Sequence, residues 1–239
     1  MPVNELLDLK SRGISIVDGT ALLESMNGKV EIDQLSRSWL ILEGNSWIRD
    51  ISSRCLSAVS ALVLTLMVFA LFPLIAIMIK LTSNGPIFSR QKTVGLNGRI
   101  FSRYRFRTMR AEIEGYTERN WVCDNKPKFT TVGRVLRTLA LDELPLMLNI
   151  LREDMAFVGP QPERPETVEE LSRAIPFYGF RHTLRPGVTG WAQTLGITTE
   201  DAKEQLGYDL FYVKHGCPGF DLLIILRTIR AVFSGRRKK

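Results

Sequence analysis

Residues 55–79 read CLSAVSALVLTLMVFALFPLIAIMI, a run without a single charged side chain. At about 1.5 Å rise per residue, a helix of this length reaches across a hydrocarbon layer about 30 Å thick. The run begins too far into the chain and is too long for the apolar region of a signal peptide, and no A-x-A cleavage pattern follows it. It therefore reads as a membrane helix. Pro73 lies inside it and lacks the N–H that a helix interior needs, so a kink is expected there. Arg49 and Arg54 precede the run, and Lys80, Arg90 and Lys92 follow it. Positive charge holds a flank on the cytoplasmic side. Two paths are open at this point, a straight single span and a kinked, re-entrant helix whose two ends face the cytoplasm; the basic flanks on both sides tilt toward the second.

The 239 residues allow one compact domain plus additions, and 32 Lys and Arg against 25 Asp and Glu give a net charge of +7. Such a balance favours an anionic partner: nucleic acid, a phosphate-bearing substrate or a lipid surface. Cys55, Cys123 and Cys217 are scattered and odd in number, which argues against a disulfide framework and a zinc cluster. His182 and His215 have no partner at metal-ligand spacing and read as structural or surface residues.

Before the membrane run, residues 3–10 and 21–26 have helical patterns and residues 14–17 a strand pattern, a piece too small to build its own core. After it the chain turns soluble in character. Residues 100–106 alternate apolar and basic side chains behind Asn97-Gly98, the signature of a hairpin. Helices are expected over 144–151, 166–174 and 220–233. The last mixes Leu222, Leu223, Leu226 and Ile229 with Arg227 and Arg230, a composition suited to a membrane interface, and the basic tail Arg236-Arg237-Lys238-Lys239 suits anionic lipid.

Two features could carry chemistry. Arg90, Lys92, Arg99, Arg103, Arg105, Arg107 and Arg110 fall within thirty residues that hold no acid, a field able to bind a diphosphate or anionic headgroups. Phe101, Tyr104 and Phe106 are interleaved with it, so a nucleic-acid surface is a second reading of this stretch alone. Leu141-Asp142-Glu143-Leu144-Pro145 sets two carboxylates before a proline that only the first turn of a helix accepts. The pair is therefore expected at a helix N-terminus, where the dipole favours ionised carboxylates and draws in phosphate.

An ordered series of motifs surrounds that pair: Gly85-Pro86-Ile87-Phe88, Val94-Gly95-Leu96-Asn97-Gly98, Phe106-Arg107-Thr108-Met109, Val132-Gly133-Arg134 with Leu136-Arg137, Asn149, Asp154-Met155, Val158-Gly159-Pro160, and Arg185-Pro186-Gly187-Val188-Thr189-Gly190-Trp191-Ala192-Gln193. Over residues 50–235 this series resembles the bacterial sugar transferase family, the monotopic polyprenyl-phosphate phosphoglycosyl transferases. The resemblance implies an α+β fold, a mostly helical catalytic domain with a small β element. It divides the chain into residues 1–48, similar to the end of a Rossmann-like domain, a re-entrant membrane helix over 49–81, and a catalytic domain with a C-terminal interfacial helix over 82–239.

It further implies an enzyme of the bacterial inner membrane, with its catalytic domain on the cytoplasmic face. The implied reaction moves a phosphosugar from a nucleotide diphosphate sugar, a UDP-sugar in the first instance, to polyprenyl (undecaprenyl) phosphate, as the first membrane step of exopolysaccharide or related glycan synthesis. On this resemblance Asp142 is the nucleophile, Glu143 the ligand of Mg²⁺, and Arg105, Arg107, Arg137 and Gln161 contact substrate phosphate. The implied partners are the nucleotide sugar, the polyprenyl phosphate and membrane lipid, with no nucleic acid.

Several positions depart from the family pattern. Gln161 stands where an arginine is usual, Arg105 where a lysine precedes Phe-Arg, Leu146 where glutamine follows the proline, Ala140 where serine would cap, and Lys126 in place of an aspartate. Gln161 supplies no charge, so phosphate binding there would need another arginine, such as Arg164. A membrane scaffold that keeps the fold without turnover is the rival reading these departures permit.

Overall fold

In the computed structural model, residues 19–34, 71–82, 84–109, 129–197 and 201–233 are described. Helix α1 (Gly19–Asn27) and a 3-10 turn (Ile32–Gln34) precede helix α2 (Leu71–Thr82). Strands β1 (Phe88–Val94) and β2 (Ile100–Phe106) come next, then α3 (Thr131–Thr138), a 3-10 turn (Leu141–Glu143), α4 (Leu146–Leu151) and β3 (Ala156–Val158). The chain continues through α5 (Pro165–Ala174), a 3-10 helix (Tyr178–Thr183), β4 (Gly187–Thr189), α6 (Trp191–Thr194), α7 (Ala202–His215) and α8 (Pro218–Phe233). This is the mostly helical α+β chain that the sequence led us to expect.

The hairpin forms where the alternation placed it. β1 and β2 pair antiparallel from Phe88↔Phe106 to Val94↔Ile100. Between them Asn97 (φ 52°) and Gly98 (φ 76°) both take left-handed backbone, which asparagine and glycine tolerate best. Strands β3 and β4 pair in parallel, Ala156↔Gly187 and Val158↔Thr189. The glycines of the Val-Gly-Pro and Pro-Gly-Val-Thr-Gly motifs explain that pairing: a Cβ on Gly187 would come 2.2 Å from Gly159 N, so only bare backbone lets the two segments meet.

Pro73 is the third residue of α2, and Ile75 and Ile79, one turn apart, pack on Phe106 and Leu136. The other face of α2 leaves Leu74, Ile77, Met78 and Leu81 exposed. Among the described residues no helix is long and apolar enough to cross a membrane. The greater part of the apolar run, and with it the segment ahead of Pro73, lies outside the described residues, as do residues 3–10, 14–17 and the basic tail. α8 resembles α2: it buries Ile224 and exposes Leu222, Leu223, Leu226 and Ile229.

The N-terminal piece borrows its core. Val30 and Ile32 join Tyr178, Leu206 and Leu210 in one buried cluster. Val30 N–H donates to Gly207 O at 3.0 Å, and a Cβ on Gly207 would sit 2.6 Å from Val30 O, so this glycine of α7 admits the strap. Trp191 Nε1 donates to Gly28 O at 2.8 Å, and Lys214 and Lys203 pair with Glu24 and Asp33.

Candidate active site

Alternation along β2 puts Arg103 and Arg105 on the same face, two residues apart, with Arg107 continuing the series. The opposite face sends Phe106 into the core beside Ile75 and Leu136. On the free edge of β2, Asn149 of α4 is fully buried; its Oδ1 accepts from Tyr104 N at 3.1 Å and its Nδ2 donates to Ser102 O at 2.8 Å. That side chain completes the strand's edge pairing and fixes α4 beside the hairpin, and the turn just before α4 carries the carboxylates.

Asp142 (3% exposed) and Glu143 (7%) are both buried in that turn. Here the structure corrects the sequence reading. The pair does not open the helix; it occupies a separate 3-10 turn, Leu141–Glu143, and α4 begins only at Leu146 with Pro145 as its N-cap residue. A six-residue helix starting three residues later offers this pair little dipole, and the cation that reaches it is Arg105, bonded to Glu143. Ala140, just before the turn, has φ 56° and no capping side-chain bond. Left-handed backbone at alanine costs roughly 1–2 kcal/mol, which the surrounding packing must offset.

Arg105 Nη2 donates to Glu143 Oε1 at 2.9 Å. Arg103, 8% exposed, donates from Nη2 to Gln91 Oε1 at 2.8 Å across the hairpin. Its charge feels Arg105 and Arg164 on one side of the balance, Glu143 and Asp142 on the other; burial, first, and the two arginines bring its pKa down to about 9. Arg107 is buried and donates from Nη1 to Asn84 O at 3.1 Å. Arg137 lies on α3 with its guanidinium 4.6 Å from the Phe129 ring centre. Arg105 is thus brought onto the carboxylate turn, whereas the described contacts of Arg107 and Arg137 lie with Asn84 and Phe129.

Gln161 is placed through its backbone. Its carbonyl accepts from Arg181 Nη2 at 3.0 Å. Arg181, 1% exposed, also donates from Nη1 to Glu163 Oε1 at 2.7 Å and lies 2.7 Å from Asp209 Oδ2, with Tyr178 O–H bonded to both Glu163 and Arg181. Burial alone would lower the Arg181 pKa, yet Asp209 and Glu163 outweigh it and hold the group firmly charged. Burial raises Asp209 to about 6 despite Arg181 and depresses His182 to about 4. The 161–164 segment is therefore pinned from beneath by a buried ionic cluster. Its members lie far apart along the chain, so sequence spacing carried no sign of them. The role of Asn149 as the edge partner of β2 was equally invisible, although the residue itself belongs to the motif series.

Among the described residues no group of three or more His, Cys, Asp or Glu side chains could hold a metal ion. Magnesium differs from zinc in this respect, being commonly held by one or two carboxylates together with substrate phosphates. Asp142 and Glu143 fit that donor chemistry. An open groove of about 380 Å³ lies elsewhere, between the hairpin turn and α5, lined by Val94, Ile100, Val168 and His182 among others.

Residues 48–235 match the family described as bacterial sugar transferase. The chain is 34% identical over 215 residues to the UDP-N-acetylgalactosamine-undecaprenyl-phosphate N-acetylgalactosaminephosphotransferase of Aeromonas hydrophila, covering 89% of this chain and 51% of that relative. It is 36% identical over 190 residues to the UDP-glucose:undecaprenyl-phosphate glucose-1-phosphate transferase of Caulobacter vibrioides, covering 77% and 71%. With the exopolysaccharide production protein ExoY of Rhizobium meliloti the identity is 34% over 205 residues, 79% of this chain and 88% of the relative. The chain thus spans about half the length of the Aeromonas relative.

Proposed function

This chain belongs to the bacterial sugar transferase family, and from that premise we propose that it transfers a sugar phosphate from a UDP-sugar to undecaprenyl phosphate, an early membrane step in making an exopolysaccharide or related glycan. The observation that carries the reading is the buried Asp142–Glu143 turn facing an arginine-bearing strand, with Arg105 on Glu143 at 2.9 Å. A carboxylate attacks phosphorus only where the negative charge of the diphosphate is neutralised. Asp142 attacks the phosphorus that bears the sugar; the bond from that phosphorus to the bridging oxygen breaks, and the nucleoside monophosphate leaves with the electron pair. An oxygen of the polyprenyl phosphate then attacks the same phosphorus, and the Asp142 carboxylate departs unchanged. Mg²⁺ held at Glu143, when bound, would supply Lewis-acid screening of the diphosphate. The arginines of β2 orient the phosphate oxygens.

Work at the cytoplasmic face of the inner membrane belongs to the same proposal, because the acceptor lipid stays in the bilayer. The exposed apolar faces of α2 and α8 support it: each buries a narrow stripe and leaves at least four large apolar side chains outward. The re-entrant path of residues 49–81 is part of this reading.

The test is the covalent step. Enzyme, Mg²⁺ and a UDP-sugar, mixed without lipid, are expected to give an adduct of sugar-phosphate mass on intact protein, discharged when polyprenyl phosphate is added. Asp142→Asn is expected to form no adduct and to lose turnover. An adduct on Asp142→Asn would exclude this residue as the nucleophile, and a wild-type chain that never forms one would favour the non-catalytic scaffold.

A further inference from the structure

Arg103 is an unfavourable residue to bury. A guanidinium taken out of water destabilises the fold unless it is paired and its donors are satisfied. At 8% exposure, its Nη2 reaches only the neutral amide oxygen of Gln91, and its Nε finds no acceptor among the described residues. The neighbouring charges do not compensate it. Arg105 and Arg164 press on it with like sign, while of the two nearby carboxylates Glu143 is already bonded to Arg105 at 2.9 Å. The Nε of Arg105 is likewise buried without an acceptor among the described residues, as are those of Arg181 and Arg185, but each of these three is paired with a carboxylate and Arg103 is bonded only to an amide. Arg103 therefore feels two further guanidinium groups and two carboxylates, and the buried Nε donors of Arg103 and Arg105 have no acceptor among the described residues.

We propose that Arg103, with Arg105 and Arg164, forms an anion pocket for the diphosphate of the substrate, in which Arg103 is a binding residue that contacts a phosphate oxygen directly. A diphosphate brings the missing negative charge and enough acceptor oxygens for the Nε and Nη donors of adjacent forks. The strand geometry is suited to it, because Arg103 and Arg105 share a face and stand two residues apart along β2. Arg164 follows Glu163, whose carboxylate is clamped by Arg181, so the third cation is offered from a fixed segment. Burial first, and then Arg105 and Arg164, lower the pKa of Arg103 to about 9, a balance that an anion at this place would reverse. Gln161, neutral and held by its carbonyl on Arg181, supplies no charge to this pocket. The inference relies on the proposed transfer reaction only in the choice of ligand.

The experiment uses the full chain in detergent, with inorganic pyrophosphate as the probe and orthophosphate as its control. Titration calorimetry is expected to show pyrophosphate binding to wild type and about tenfold to a hundredfold weaker binding to Arg103→Met, the factor expected for a lost charge-assisted contact. Arg103→Lys is expected to fall between them. The melting temperature without ligand separates binding from structure. Removing an uncompensated buried charge leaves it unchanged or higher in Arg103→Met, whereas a merely structural arginine would lower it. If Arg103→Met proves too unstable to titrate, the same affinity comparison is made with Arg103→Gln and decides the matter. The proposal is overturned if wild type does not bind pyrophosphate, if the neutral variant binds within twofold of wild type, or if orthophosphate binds as tightly as pyrophosphate with the same dependence on Arg103, the last pointing to a phosphate monoester instead. Failure of the transfer reaction reads differently: affinity that depends on Arg103, together with no adduct on Asp142, sinks the catalytic reading and leaves the anion pocket standing.

Discussion

Arg181 is the residue whose loss should cost the fold most, and its surroundings fix the size of the effect. The side chain is 1% exposed and bound to Glu163, Asp209, Tyr178 and the Gln161 carbonyl. Arg181→Met has nearly the same length but strands two carboxylates that are themselves 7% and 2% exposed. Removing one partner of a buried pair costs about 3–5 kcal/mol, because the other charge stays buried without compensation. Against a total stability of about 5–15 kcal/mol, that is a large share. With a urea slope of about 2 kcal/mol/M, the unfolding midpoint should fall by roughly 2 M. The deficit should also depend on pH with a definite sign. Without Arg181, burial holds the folded-state pKa of Asp209 above its unfolded value, so its contribution is complete at low pH and is lost as pH rises through the folded value. Asp209 stands at about 6 even with Arg181 present. Arg181→Met should therefore be less destabilised at pH 5 than at pH 8. The triple variant Arg181→Met, Glu163→Gln, Asp209→Asn should recover at least half of the loss, since stranded charge, not missing packing, causes it. A single-variant loss under about 1 kcal/mol, or a triple variant as unstable as the single, would refute the reasoning.

Two further perturbations follow from distances. Gly133→Ala would place a Cβ 2.0 Å from Thr108 O, so although alanine is worth about 1 kcal/mol over glycine in an open helix, here the melting temperature should drop, by the equivalent of about 2 kcal/mol or more; an unchanged or raised value would show that α3 can move aside at no cost. His182 has its folded pKa depressed to about 4 by burial first and by Arg181, so its neutral form contributes stability that is complete above about pH 6.5 and is lost as pH falls from there to 4; in urea titrations across that window His182→Gln should flatten the slope, and an unaltered slope would contradict the assignment.

What could be read from the chain and what could not divide along physical lines. The hairpin was legible because alternation is local and Asn97-Gly98 names its own turn. α5 and α8 were legible because each begins at a proline and carries a one-sided apolar pattern. α7 gave no such signal: it buries Gln205, Gly207 and Asp209 together with Leu206, Leu210, Tyr212 and Val213, so its core face has no clean apolar stripe. α3 was hidden because a glycine, two valines and two threonines in eight residues give weak helix propensity, and its start depends on Thr130, whose hydroxyl accepts from Gly133 N. The carboxylate pair stands out in the sequence, but its placement on the helix does not hold. Pro145 marked the helix start, yet nothing local announced that Ala140 would turn left-handed and fold Asp142 and Glu143 into a turn of their own. Of the expected phosphate ligands, Arg105 reaches the carboxylate turn, while the buried cation most in need of an anion, Arg103, was one member of a long basic run with nothing in its spacing to single it out.

The site is assembled from elements that could not hold a position alone: a two-stranded hairpin, a three-residue turn and a six-residue helix. Each combines apolar burial, such as that of Leu146, Met147 and Ile150 on α4 and Phe106 on the hairpin, with a polar or close-packed strut. Asn149 ties α4 to the edge of β2, Gly133 lets α3 touch Thr108, and Arg181 clamps the 161–164 segment. Such struts are paired in the resting protein, Arg181 with two carboxylates even though its Nε has no acceptor among the described residues, so their removal should appear first as lost stability, with activity following because the geometry loosens. Arg103 is of the opposite kind. Among the described residues it bonds a neutral amide and no carboxylate, the rest of the fold offsets the cost of its burial, and its removal should spare or raise stability while weakening anion binding. Two buried arginines, one needed to fold and one held in place by the fold, are thus told apart by the direction in which the melting temperature moves.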